Sequence, residues 1–112
     1  VADAAESIGI LNFALDAVVD QQQVIANNIA NQDTPGFQAS AVSFESSLAN
    51  ALQGGGTASV STSPEGLPSG TNGNNVSIAG EMTSMEENNL ENQTVDNALS
   101  GQFAFLSDAI SA

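Results

Sequence analysis

Apolar residues in this sequence gather toward its two ends and recur there with a helical period. Ile8, Leu11, Leu15, Val18, Gln22, Ile25 and Ile29 follow one another at alternating spacings of three and four, a heptad seam interrupted only by Gln22. The spacing predicts a helix over residues 7–31, with Ser7 as its N-cap. Pro35 cannot continue a helix and drives Thr34 toward extended geometry, so the helix is expected to end near Asn31. A second run covers residues 79–111. Ile78, Met82, Met85, Asn89, Asn92, Asp96, Leu99, Phe103, Leu106 and Ile110 keep the same spacing, with polar residues at the central positions. Leu90 and Val95 lie just beside that row and are candidates to carry the packing there. Gly101 inside the run costs about 1 kcal/mol against Ala.

Residues 32–80 read as mostly irregular. Phe37, Val42, Phe44, Leu48 and Leu52 bring some apolar surface, and residues 45–52 have room for a turn or two of helix. Gly54-Gly55-Gly56 then opens a stretch dense in Gly, Ser, Thr, Asn and Pro that runs to about Asn75. Its apolar surface is too small to offset the entropy of ordering, so a flexible loop is expected, with a brief extended segment at Val76 and Ile78. The expected organisation is one structural domain formed by both ends: 1–36 as N-terminal helix and Pro-Gly turn, 37–53 as a post-turn segment, 54–78 as loop, and 79–112 as C-terminal helix. The fold class is mostly α, two long terminal helices packed as an antiparallel hairpin or coiled coil, with an irregular Gly/Ser/Asn-rich middle and little or no short β structure. Two helices leave much of their seams uncovered, and further helices from partner chains would cover them.

Composition acts mainly by exclusion. The chain has 112 residues, thirteen of them acidic, with no Lys, Arg, His or Cys. Without a cationic side chain it has no means of neutralising phosphates, which excludes nucleic acid as a partner. Anionic membrane surfaces repel it, and no apolar run approaches the ~20 residues of a membrane span, so no direct membrane insertion is expected. The missing His and Cys remove zinc sites, thiol chemistry and His-dependent acid–base catalysis. Ser and Thr are plentiful, but no His or Lys is present to activate them. Glu81, Glu86, Glu87 and Glu91 form an acidic cluster. Glu87 and Glu91 stand one turn apart, close enough to share a cation, but a solvated helix face is the plainer reading. Gly54–Gly56 lacks the Lys and the preceding strand of a phosphate loop and reads as linker. No enzyme and no cofactor is expected. No basic n-region or long apolar h-region is visible, so any export is expected to use a route other than a cleaved signal peptide.

The most informative stretch is Ala26-Asn27-Asn28-Ile29-Ala30-Asn31-Gln32-Asp33-Thr34-Pro35-Gly36-Phe37. Pro35 and Gly36 suit the two central positions of a type II turn, the second of which needs positive φ. Asn27, Asn28 and Asn31 set amides near the helix end, where they bond free carbonyls or reach another chain. The segment resembles the signature of flagellar basal-body rod and hook proteins, in which an amphipathic N-terminal helix ends in Asn-Asn-x-Ala-Asn and continues to Thr-Pro-Gly-aromatic. The likeness covers residues 8–44. Glu81-Met82, Glu91-Asn92-Gln93, Asn97-Ala98-Leu99 and Phe103 are similar to the C-terminal helix of the same family, and the short middle region favours its proximal rod members.

The resemblance implies a non-enzymatic building block of the tubular rod that transmits torque for motility. In that family the subunit is exported by the flagellar type III apparatus, and the paired terminal helices assemble in the periplasm-spanning rod. Implied partners are other rod subunits, further copies of the chain, the MS ring, the rod–ring adaptor and the export apparatus. The expected motif residues are Asn27, Asn28, Ile29, Ala30, Asn31, Thr34, Pro35, Gly36 and Phe37. The helix-packing and assembly residues are Ile8, Leu11, Leu15, Val18, Gln22, Ile25 and Ile29 on the first helix and Met82, Met85, Leu99, Phe103, Leu106 and Ile110 on the second. Family members ordinarily carry Lys and Arg and this chain has none, so assembly here is expected to rest on apolar seams and amide hydrogen bonds, or on basic residues of partners. The rival readings are a distal rod or hook-type axial protein, and an acidic helical hairpin that binds a basic partner.

Overall fold

The computed structural model describes residues 4–111. Two long helices, α1 (Ala4–Ala30) and α3 (Ile78–Ser111), frame a short helix α2 (Glu45–Leu52) and a ribbon of two strands, β1 (Ser40–Ser43) and β2 (Ser61–Pro64). At ~1.5 Å per residue the 27 residues of α1 and 34 of α3 span about 40 and 50 Å. The molecule is correspondingly elongated, 64 × 23 × 14 Å. The long helices run antiparallel, since Leu11 packs with Val95 and Leu99 while Asn28 reaches Glu81.

Helix α1 begins before the predicted cap, so Ser7 lies inside it. No basic residue stands in its last turn to meet the free carbonyls, and amides do so instead. Asn31 Nδ2 donates to the Asn27 carbonyl (2.8 Å), and Asn74 Nδ2 donates to the carbonyls of Asn31 and Thr34 (both 2.8 Å). Thr34-Pro35-Gly36-Phe37 then reverses the chain. Phe37 N bonds to Thr34 O at 3.2 Å, and Gly36 has φ 76°, the left-handed conformation that favours glycine.

The middle is more ordered than its composition suggests. Strands β1 and β2 pair antiparallel, Ser40 opposite Pro64 and Ser43 opposite Ser61, with α2 inserted in the connection between them. Alternation places Val42 inward on β1, and Phe44, two residues on, continues that side. Both pack on Ala17 and Val18 of α1, with Phe13, Val24, Leu48 and Val60 around them. Residues 54–75, expected as a flexible loop, carry β2 and end in two buried amides. Asn75 Oδ1 accepts from Ala39 N at 2.6 Å, Asn75 Nδ2 donates to Leu67 O at 3.1 Å, and Asn74 Oδ1 accepts from Val76 N at 2.8 Å. Hydrogen bonds to backbone replace the apolar burial this stretch lacks.

The seam between the long helices is offset from the predicted one. On α1, Leu11, Val18 and Ile25 are buried as the heptad reading places them. The positions alternating with them are Ala14, Gln21 and Asn28, not Leu15, Gln22 and Ile29. Gln22 faces solvent, while Ile8, Leu15 and Ile29 are half-buried. On α3, Leu99 is buried and Met85 and Leu106 half-buried, while the alternate row is Glu81, Asn88, Val95 and Gln102. Met82, Phe103 and Ile110, one residue further along, are exposed. Packing within the chain is therefore corrected at Gln22, Met82, Phe103 and Ile110. Of the two neighbours of the predicted row, Val95 is buried and Leu90 is 63 % exposed.

Candidate assembly site

Small and polar residues hold the helix pair together over half its length. Asn28, 1 % exposed, donates from Nδ2 to Ser40 O and to Glu81 Oε1 (both 2.8 Å), and accepts Ser40 N on Oδ1 at 3.2 Å. One side chain thus ties α1 to both β1 and α3. Asn88 repeats the device two turns along α3, donating to Val18 O (2.9 Å) and Gln21 Oε1 (3.0 Å). Gln21 Nε2 donates in turn to Val42 O at 3.2 Å and toward Glu45 Oε2 at 3.4 Å. The buried side-chain polar atoms among the described residues all have partners, as a polar seam requires if it is to specify one register.

The motif residues divide by role. Asn28 is the interlock. Asn27 and Asn31 are bonded to each other, Thr34 Oγ1 donates to Asn31 Oδ1 (3.0 Å), and Pro35 and Gly36 form the turn. Gly36 N donates to Asn72 O at 2.9 Å, and Phe37 O accepts Asn75 N at 3.2 Å. Ile29 and Phe37 are half-buried and Ala30 is exposed. Gln21, Asn74, Asn75 and Asn88 carry no apolar signal in the sequence, and Glu81, read there as part of a solvated face, is buried. Glu81, Asn88 and Val95 stand seven apart, which is a heptad signal, but two of the three are polar and an apolar search passes over them.

Two carboxyl pairs meet at a cavity of about 110 Å³ between α1, β1 and α3, lined by Glu45, Glu65, Glu81, Glu87 and Glu91. Burial, together with the bond to Glu81 and its charge, pushes Glu65 up to about 7. Burial, the bond to Glu45 and the charges of Glu45 and Glu87 push Glu91 up to about 8. Burial also acts upward on Glu45, but the bonds it accepts from Glu91, two backbone N–H groups and Gln21 hold it below the ordinary carboxylate range. No group of three or more carboxylates among the described residues is arranged to hold a metal ion.

Glu65 and Glu91 bind a proton more tightly in the folded chain than in the unfolded one. Their contribution to stability is complete below about pH 4.5 and falls as pH rises through about 7 and about 8. Glu45 acts in the opposite sense, its contribution being lost on acidification through its lowered pKa. The melting temperature is expected to drop by several degrees between about pH 6 and about pH 9. Glu91→Gln, which keeps a donor toward Glu45, should remove part of that drop. A profile unchanged by the substitution would count against the pairing, and calorimetry decides it.

A second feature lies at the far end of α3. Phe103, Phe105 and Ile110 are all more than half exposed, and Phe103-Ala104-Phe105-Leu106 is apolar around the helix. Such a segment ordinarily lies inside an assembly. An elongated hairpin with a polar interlock, and with apolar surface left open toward the end of one long helix, has the form of a structural, helix-packing subunit.

The comparisons agree with that class. The model of the family described as "Flagella basal body rod protein" matches residues 13–38, from the middle of α1 through the Thr-Pro-Gly-Phe turn. Among curated relatives, the flagellar basal body rod protein FlgB of Yersinia enterocolitica is 32 % identical over 84 % of this chain and 88 % of its own length. FlgB of Escherichia coli is 33 % identical, covering 80 % of this chain and 81 % of that protein. FlgB of Bacillus subtilis is 32 % identical over 83 % and 84 %. The chain belongs to the FlgB family of flagellar basal-body rod proteins, and it is a structural component of the flagellar basal body.

Proposed function

We propose that the chain is a subunit of the proximal rod, built into the tubular drive shaft by lateral packing of its terminal helices. It works mechanically. Contacts spread along helices of about 40 and 50 Å resist torsion through many small buried areas rather than one strong bond. Its neighbours are other rod subunits and further copies of itself, with the MS ring, the rod–ring adaptor and the export apparatus met on the way into the rod. The exposed apolar residues near the end of α3, Phe103, Phe105 and Ile110, carry this reading. Catalysis has no part in it, and export proceeds through the type III route.

The test leaves the fold alone. Phe103→Ser with Ile110→Ser changes two exposed positions, so helix content and melting temperature should stay within a few degrees of the parent. In cells lacking their own copy of the gene, the double variant should fail to restore swimming where the parent restores it. Normal motility with the double variant would overturn assembly through this face.

A further inference from the structure

Beside the cavity, α2 and α3 leave an apolar groove of about 320 Å³, floored by Phe44, Leu48 and Leu52 on one side and Leu90 and Val95 on the other. Glu45 and Glu91 line both the groove and the acidic cavity. The groove therefore ends at a carboxyl pair. We propose that this groove receives an amphipathic helix of a different polypeptide, whose apolar face lies on Leu48, Leu52 and Leu90 and whose Arg or Lys reaches Glu45 and Glu91. The proposal deepens the rod reading by giving the chemistry of one neighbour.

Charge chooses the occupant. With no Lys, Arg or His anywhere in the chain, a second copy brings only further carboxylates to the carboxyl pair, and an anionic lipid surface is repelled. A partner's guanidinium or ammonium meets a carboxyl pair for which this chain supplies no cationic side chain. A groove between two helices suits a third helix, with apolar anchors at spacings of three and four. The groups facing the pair are Glu45 on α2, Glu81, Glu87 and Glu91 on α3, Glu65 just after β2, and the uncharged Gln21 on α1. Glu91 holds its proton to about pH 8. An arriving cation displaces that proton, so its advantage grows as pH rises.

The test uses the full chain and labelled 18-residue helical peptides with Leu at i, i+4 and i+7. A single Arg is stepped through the turn beyond the last Leu, and each peptide has a twin with the neutral citrulline in place of Arg. By fluorescence anisotropy, the best Arg peptide should bind at least ten-fold more tightly than its twin, and more so at about pH 9 than at about pH 6. Leu90→Asp, an exposed substitution that leaves the fold intact by circular dichroism, should abolish binding of both. Glu45→Gln with Glu91→Gln should bring the two peptides within two-fold of each other. Equal binding of the twins, or binding unaffected by Leu90→Asp, overturns the proposal. So does a wild-type dimer in sedimentation that Leu90→Asp dissociates, since a second copy then fills the groove. None of these outcomes depends on rod formation, so failure here is distinguishable from failure of the swimming test.

Discussion

Asn28→Ala is expected to lower the unfolding free energy by about 3–5 kcal/mol, more than any other single amide substitution in the chain. The side chain is 1 % exposed and makes three hydrogen bonds. Its removal strands the Ser40 N–H and carbonyl and takes from the buried Glu81 carboxyl the amide donor at 2.8 Å. A buried carboxyl group that loses its donor is costly, and the chain has no Lys, Arg or His side chain to replace it. The loss also separates three elements at once, α1 from both β1 and α3. Asn27→Ala is the control, because Asn27 is exposed and its side chain accepts from the neighbouring Asn31 at 3.2 Å. It should cost about 1 kcal/mol or less. Urea unfolding monitored by circular dichroism checks both, and equal midpoint shifts for the two would refute the interlock.

Leu99→Asp should open the other end of the helix pair. Leu99 sits in the cluster with Leu11, Ala14 and Val95, flanked by Ile8, Leu15 and Leu48. Truncation to Ala alone costs about 2–5 kcal/mol. Asp adds a carboxylate in an apolar site with no basic partner in the sequence, a further cost of several kcal/mol. A domain of this size holds about 5–15 kcal/mol in all. The Asp variant should therefore lose most of its protected amides in the first half of α1 and the last half of α3, and it should not assemble. Leu99→Ala should stay folded with a lowered midpoint. Hydrogen exchange reads the difference, and native protection in Leu99→Asp would sink the seam.

How much was legible in the sequence follows from what each residue does. The two long helices were readable because Leu11, Val18, Ile25, Met85, Leu99 and Leu106 are apolar and periodic. The turn was readable because Pro35 and Gly36 suit one backbone geometry. The alternate row of the seam was not. Ala14, Asn28, Glu81 and Asn88 are small or polar, while Leu15, Ile29 and Met82 beside them look like the better core residues. Helix α3 has almost no net apolar face, so hydrophobicity alone left its rotation undecided by one residue. The acidic cluster was half-legible. Its sequence suggests a solvated face, yet Glu81 is buried because Asn28 waits opposite it.

Residue order alone specifies the secondary structure of both ends, the break between them and the lack of cationic side chains, and the stretch from Ala26 to Phe37 carries the resemblance to the family. The elements follow from local periodicity and from the φ preferences of Pro and Gly, and the charge from counting, whereas the family rests on likeness to a known motif. The register of the helix pair, the order in residues 54–75 and the elevated proton affinities of Glu65 and Glu91 arise only once the chain is folded. Each of these depends on a partner distant in the chain, such as Glu81 for Asn28 or Phe37 and Ala39 for Asn75. A buried amide or carboxyl is stable only where its complement stands, and that complement is a property of the fold rather than of the local sequence.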